Sequence, residues 1–322
     1  MIKTLMFLIL VSGFANAQAQ PLLLVLNKSE NTLQVIDPET MKEIKRVATG
    51  EGPHEIGVDT ERQVAYVANY GHQQPGNSLS IYSLATFKET RLDLGALKRP
   101  HGLVYKSGNI FGTTEFSRTV FRYDVVSGKV DWIMGTGKSI SHMLAISTNG
   151  KRVFTTDILS NSVTVIDVDM PPLPQYIQSV AVDAKPEAIA LSNDDSELWV
   201  GHNDSGAIAV IDTKTLTIQR KWEGFKVPIR IHFTPDGSAV LVSDPGASEL
   251  VLIDAKTKSV KHKLAMPGVP VGITMDKAGK YAYIALTQAN KIIKIDLETM
   301  KEEGQCSTGQ NPDGIVWVLS KT

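Results

Sequence analysis

The segment Gly52-Pro53-His54-Glu55-Ile56-Gly57-Val58 decides the fold, because it recurs. It returns as Arg99-Pro100-His101-Gly102-Leu103-Val104, as Lys185-Pro186-Glu187-Ala188-Ile189-Ala190 and as Val227-Pro228-Ile229-Arg230-Ile231. Val269-Pro270-Val271-Gly272-Ile273 and Asn311-Pro312-Asp313-Gly314-Ile315 follow, and Ser141-His142-Met143-Leu144 fills the same slot with Ser for Pro. The turn residues stand at 53, 100, 141, 186, 228, 270 and 312, so successive copies lie 47, 41, 45, 42, 42 and 42 residues apart. Periods of this size belong to propeller blades or similar stacked arrays.

Each period carries four β-like runs. In the sixth they are residues 229–234, 239–244, 250–254 and 260–266, with a Pro235-Asp236-Gly237 turn after the first. β-Branched and aromatic residues fill the runs, and Gly, Pro, Asn and Asp break them. Four short strands per period favour a propeller over a solenoid or a sandwich. The expectation is an all-β, seven-bladed β-propeller. The N-terminal copy lacks its first strand, which residues 314–320 supply from the other end of the chain. One blade is then sewn from both ends, which closes the ring and leaves no open edge.

Before the repeats, Lys3 and the apolar run at 4–14 precede Ala15-Asn16-Ala17. This is the layout of a secretory signal, too short to span a bilayer comfortably. Residues 1–17 are therefore expected to be removed, leaving one domain at 18–322. No later run is apolar enough to cross a membrane, so the location expected is periplasmic or secreted. The formal net charge is −1, and the cations are not clustered, which excludes a polyanion-binding surface and makes nucleic acid an unexpected partner. Cys306 is the one cysteine. It can form no internal disulfide and is expected to be a small residue in an outer strand.

The repeats resemble the YVTN-type propeller repeat through Tyr66-Val67-Ala68-Asn69, Thr164-Val165-Ile166-Asp167, Ala209-Val210-Ile211-Asp212 and Val251-Leu252-Ile253-Asp254. The resemblance covers essentially all of 18–322. Blade three departs most, with Phe111-Gly112-Thr113-Thr114-Glu115 in its second strand. The resemblance implies similarity to surface-layer propellers, lactonase-like propellers and the propeller domains of redox enzymes. Such domains act as scaffolds, binding modules or enzymes, so fold alone does not choose among them. Asp37, Asp124, Asp167, Asp212, Asp254 and Asp296 end third strands. Six carboxylates spread around a ring cannot share one site, and each is expected to accept turn amides.

Function is expected where the blades converge. The residue after each turn forms a ring at one mouth of the channel: His54, His101, His142, Glu187, Ile229, Val271 and Asp313. Imidazoles plus a carboxylate suit Zn, Cu, Fe or Ni, so His54, His101, His142 and Glu187 are candidate ligands of a divalent metal. The links from second to third strands open at the same mouth and add Asn27, Lys28, Asn69, Tyr70, Glu115, Asp157, His202, Asn203, Asp244 and Gln288. Glu55 and Arg230 lie one step inside. Glu55, Asn69, Tyr70, Glu115, Asp157, His202, Arg230, Asp244 and Asp313 are the candidate ligand-binding residues.

The expected function is binding of a small ligand, a metal or an envelope protein partner at this mouth. The alternative is an enzyme: a metal-dependent redox enzyme, or a lactonase-like hydrolase in which His54 or His101 acts as base and Arg230 holds an anionic group. Gly135-Thr136-Gly137-Lys138-Ser139 is not a phosphate loop, because Trp132 stands where the first Gly is needed and no helix follows. Loop 70–77, carrying His72, reads as a tolerated insertion. The Pro171-Pro172-Leu173-Pro174 stretch reads as a spacer. His232 is expected to alternate away from the axis, and His262 to lie in an outer strand.

Overall fold

The computed structural model describes residues 19–171 and 173–321. The proposed signal at 1–17 lies outside them. The described residues form seven four-stranded antiparallel sheets arranged as the repeats require. Blade two shows the order from axis to rim: Pro53–Asp59, Val64–Gly71, Pro75–Ser83 and Glu89–Asp93. Blade one is composite. Its inner strand, Pro312–Ser320, pairs with Gln20–Asn27, for example Leu23 with Trp317 and Leu24 with Val316. Among the described residues no helix is long and apolar enough to cross a membrane, and the helical segments are the single turns Ile158–Ser160 and Pro174–Tyr176.

The core is divided like the fold. Seven apolar clusters each fill the space between two neighbouring blades. Trp199 of blade five packs on Val240 and Val242 of blade six, while Phe111 of blade three meets Phe154's neighbour Val153 in blade four. Second and third strands are almost wholly buried, and outer strands such as Lys42–Ala48 and Thr217–Trp222 are mostly exposed. Cys306 is buried in the outer strand Lys301–Ser307. Of the third-strand aspartates, Asp37, Asp124, Asp212, Asp254 and Asp296 each accept two turn amides. Asp167 instead binds Arg152.

The inner strands set the channel. Counting two residues on from each mouth residue gives Ile56, Leu103, Leu144, Ile189, Ile231, Ile273 and Ile315, all aliphatic. Counting four on gives Val58, Tyr105, Ile146, Leu191, Phe233, Met275 and Trp317, all half-buried. These two rows anchor each inner strand in the clusters between blades. They leave the mouth row and the residue just after it, where Glu55 and Arg230 stand, to carry the charged groups.

Candidate axial site

Six of the seven inner strands begin with a bulge, seen as a register shift at Pro53/Ile56, Pro100/Leu103, Ser141/Leu144, Pro186/Ile189, Pro270/Ile273 and, in blade one, opposite Val25/Asn27. A bulge re-aims the residue it adds and is common beside functional sites. The residue before each of these bulges is left-handed: Gly52, Arg99, Ile140, Lys185, Val269 and Asn311, with φ from 53° to 66°. For β-branched Ile140 and Val269 that conformation is strained. Blade six has no bulge, and there Asp244 takes the amides of Lys226 and Val227 at 2.7 and 2.8 Å.

The bulges bring three imidazoles into a stack. The His54 and His101 rings lie 4.2 Å apart, and those of His101 and His142 lie 3.8 Å apart. Tyr70 abuts the first two edge-on. Blade spacing here depends on glycine. A Cβ on Gly102 would lie 3.0 Å from the carbonyl oxygen of His142, and one on Gly314 would lie 2.4 Å from that of His54. Thr113 ties the blades further, donating to the His142 carbonyl and accepting from the Gly102 amide.

Two charge systems flank the stack. On one side Asp313 accepts from Lys28 at 3.0 Å and from Arg230 at 3.3 Å, and Arg230 reaches across the channel to Glu55 at 2.6 Å. Asp313 also lies 3.3 Å from His54 Nδ1, without hydrogen-bond alignment. Burial raises the Asp313 pKa, but His54, Arg230 and Lys28 outweigh it and hold the carboxyl below its usual range. Burial raises that of Glu55 against the opposing pull of Arg230. On the other side His142 Nδ1 contacts Glu115 Oε1, and its Nε2 lies 3.5 Å from Glu187 Oε1. Tyr70 donates to Glu115 Oε2 at 2.5 Å, and Asn203 donates to Glu187. Burial disfavours the His142 cation, yet the bonds to Glu115 and Glu187 win and raise its pKa to about 9. The same contact lowers Glu187 against burial. Burial and the neighbouring imidazoles push His101 well below its ordinary value, and burial takes His54 down to about 3 despite Asp313.

His101 is 1% exposed, and neither ring nitrogen has a hydrogen-bond partner. His54 Nδ1 is also unpaired, but among the described axial imidazoles only His101 has both ring nitrogens buried and unpaired. Leaving a buried polar group unpaired costs about 1–3 kcal/mol. Its ligand atoms lie within 4.8 Å of those of two overlapping sets, His54 with Glu55 and Glu115 with His142.

The structure therefore gathers His54, His101, His142, Glu187, Glu55, Glu115, Tyr70, Arg230 and Asp313 at the axis. It does not bring Asn69, Asp157, His202 or Asp244 there. Each of these bonds within its own blade: Asn69 to Ser78 and Ser80, His202 to the Ala207 carbonyl, and Asp244 to turn amides. Asp157 is fully buried and accepts the hydroxyls of Ser141, Thr155, Ser162 and Thr164. These side chains end second strands and turn inward to brace the third strand or the next turn. Arg230 is committed to two carboxylates rather than free for an anionic group. His232 lines the channel instead of pointing away from it. Loop 70–77 continues the hairpin, with Gly71 pairing Pro75. Thr113 and Gly102 escaped sequence reading, because their roles appear only in contacts between blades.

No protein-family model matches this chain, and no curated protein sequence does. Solved structures do match in shape. A functionally unknown protein from Desulfotomaculum acetoxidans aligns with TM-score 0.75 and 14% identity, covering 92% of this chain and 98% of that one. Hydrazine synthase from Kuenenia stuttgartiensis gives 0.70 and 17%, covering 82% and 89%. Dihydro-heme d1 dehydrogenase NirN, in complex with DHE, gives 0.69 and 12%, covering 91% and 74%. At these identities the likeness establishes the propeller fold.

Proposed function

We propose that the axial cluster binds one divalent transition metal ion through His101, His142 Nδ1 and Glu115. The observation that carries this reading is the buried, partnerless imidazole of His101 beside a carboxylate and a second imidazole. Charge agrees. Lys28 and Arg230 pair with Asp313 and Glu55, whereas the ion-pair contacts of Glu115 and Glu187 among the described residues are both with His142. A divalent cation would balance that side without a proton on His142. Glu187 then serves as the carboxylate that orients His142 through Nε2–H, and Tyr70 fixes the second oxygen of Glu115, as outer partners of metal ligands do. Three protein ligands leave positions open for water or a substrate, and zinc, copper, iron and nickel all suit this donor set.

The YVTN-type repeat and export belong to the same proposal, resting on the motifs and on the apolar run before Ala15-Asn16-Ala17. N-terminal sequencing of secreted protein would check the cleavage at Ala17. For the metal, elemental analysis of untagged protein is expected to find about one ion per chain, and His101→Ala should abolish it while the ring stays folded. Glu187→Gln should weaken binding about 10–100-fold. No metal in the native protein after incubation with all four ions would overturn the reading.

A further inference from the structure

Beyond the charged cap the channel changes character. A cavity of about 420 Å³ runs from Glu55 and Arg230 at its inner end to Phe233 and Asn193 at the far face. That volume is within the range of about 300–1,000 Å³ that holds small molecules. Its lining side chains are mostly apolar, with Val104, Met143, Ala190 and Val316 half-buried against the lumen and Thr274 and His232 as the polar members of the wall. His232 is open to the lumen yet enclosed by the surrounding blades, so burial and nearby Arg230 push its pKa down to about 4 and the ring is neutral.

The inner end is polar but balanced. Arg230 and Lys28 face Glu55 and Asp313. A guanidinium carries five N–H donors, and Arg230 spends three on Ile229, Glu55 and Asp313. Glu55 accepts through Oε1 and keeps Oε2 as an acceptor. The cap thus offers both a donor and an acceptor. A carboxylate head would crowd the two acids, and an ammonium would crowd the two bases.

We infer that this channel binds a small, uncharged aliphatic molecule bearing one hydroxyl or amide group, chain toward the far face and polar head against Arg230 and Glu55. The inference stands apart from the metal reading, since no proposed metal ligand lines the cavity. Apolar burial then dictates the affinity pattern: about fourfold tighter for each added methylene.

The test is a saturation titration of the full chain with n-propanol, n-butanol, n-pentanol and n-hexanol, followed by ligand-observed NMR, with sodium hexanoate alongside. Two variants accompany it. Ala190→Met fills the lumen, and Val316→Asn makes the wall polar at nearly constant size. The expected result is saturable binding that tightens with chain length and is weaker for hexanoate. Each variant should weaken n-hexanol about tenfold or more, with melting curves showing both folded. Failure of n-hexanol to saturate, a flat series, tighter binding of hexanoate, or native affinity in both folded variants would each overturn the inference. Val316→Asn should leave metal content unchanged, so a loss here is distinct from a loss at the axial cluster.

Discussion

Blades four and six fill the same slot in two ways. Blade four enters through strained Ile140, bulges at Ser141, and delivers His142 to the stack. Blade six enters without a bulge, because Asp244 clasps the amides of Lys226 and Val227, and its axial contribution comes one residue later as Arg230. One repeat thus supplies a short imidazole held at the mouth, and the other a long cation that crosses the channel. The backbone at the entry, more than the residue in the slot, decides which side chain reaches the axis.

The largest effect is expected at the blade-six solution. Arg230→Met would leave Glu55 and Asp313 buried without their shared cation, which costs about 3–5 kcal/mol. Urea unfolding should show it, and adding Glu55→Gln should restore part of the loss. Full stability in the single variant would mean that the crossing ion pair is not what holds the cap together.

Next is the spacing between blades. Gly102 of blade three faces blade four, and Ala188 of blade five stands in the matching position toward blade six. Gly102→Ala would press a methyl on the His142 carbonyl. The expected cost is about 1–3 kcal/mol, with weaker binding of the proposed metal because His142 must shift. Ala188→Gly, measured by the same unfolding curves, should cost about 1 kcal/mol or less and leave metal binding alone. Equal effects of the two changes on metal would show that blade spacing does not tune the stack.

Much of this was legible in the sequence. The turns at regular spacing gave the blades, the missing first strand gave the closure, and the row after each turn contains the three stacked histidines, Glu187 and Asp313. Two things were not legible. Second-strand ends such as Asn69, Asp157 and Asp244 read as mouth residues because they neighbour it in the chain, yet a strand's last side chain faces either way, and these satisfy buried groups of their own blades. Glu115 shows the contrast: one position further along the link, it escapes the blade and reaches His142. The bulge was hidden too. It is a backbone event, and neither Ile140 nor Val269 is a residue from which left-handed φ would be read.

That hidden feature gives the smallest and most discriminating prediction. Ile140 holds φ at 57°, where a non-glycine residue costs about 1–2 kcal/mol. Ile140→Gly relieves that strain, loses a half-exposed side chain, and loosens the unfolded chain, so the terms nearly offset or favour the variant by up to about 1 kcal/mol. Val227 occupies the equivalent place before blade six without left-handed geometry, so Val227→Gly relieves nothing and should destabilise by about 1 kcal/mol. Thermal melts of the pair decide the matter through their difference. If both glycines destabilise equally, the strain at Ile140 is absent, and the contrast between the two blades must rest on Asp244 alone.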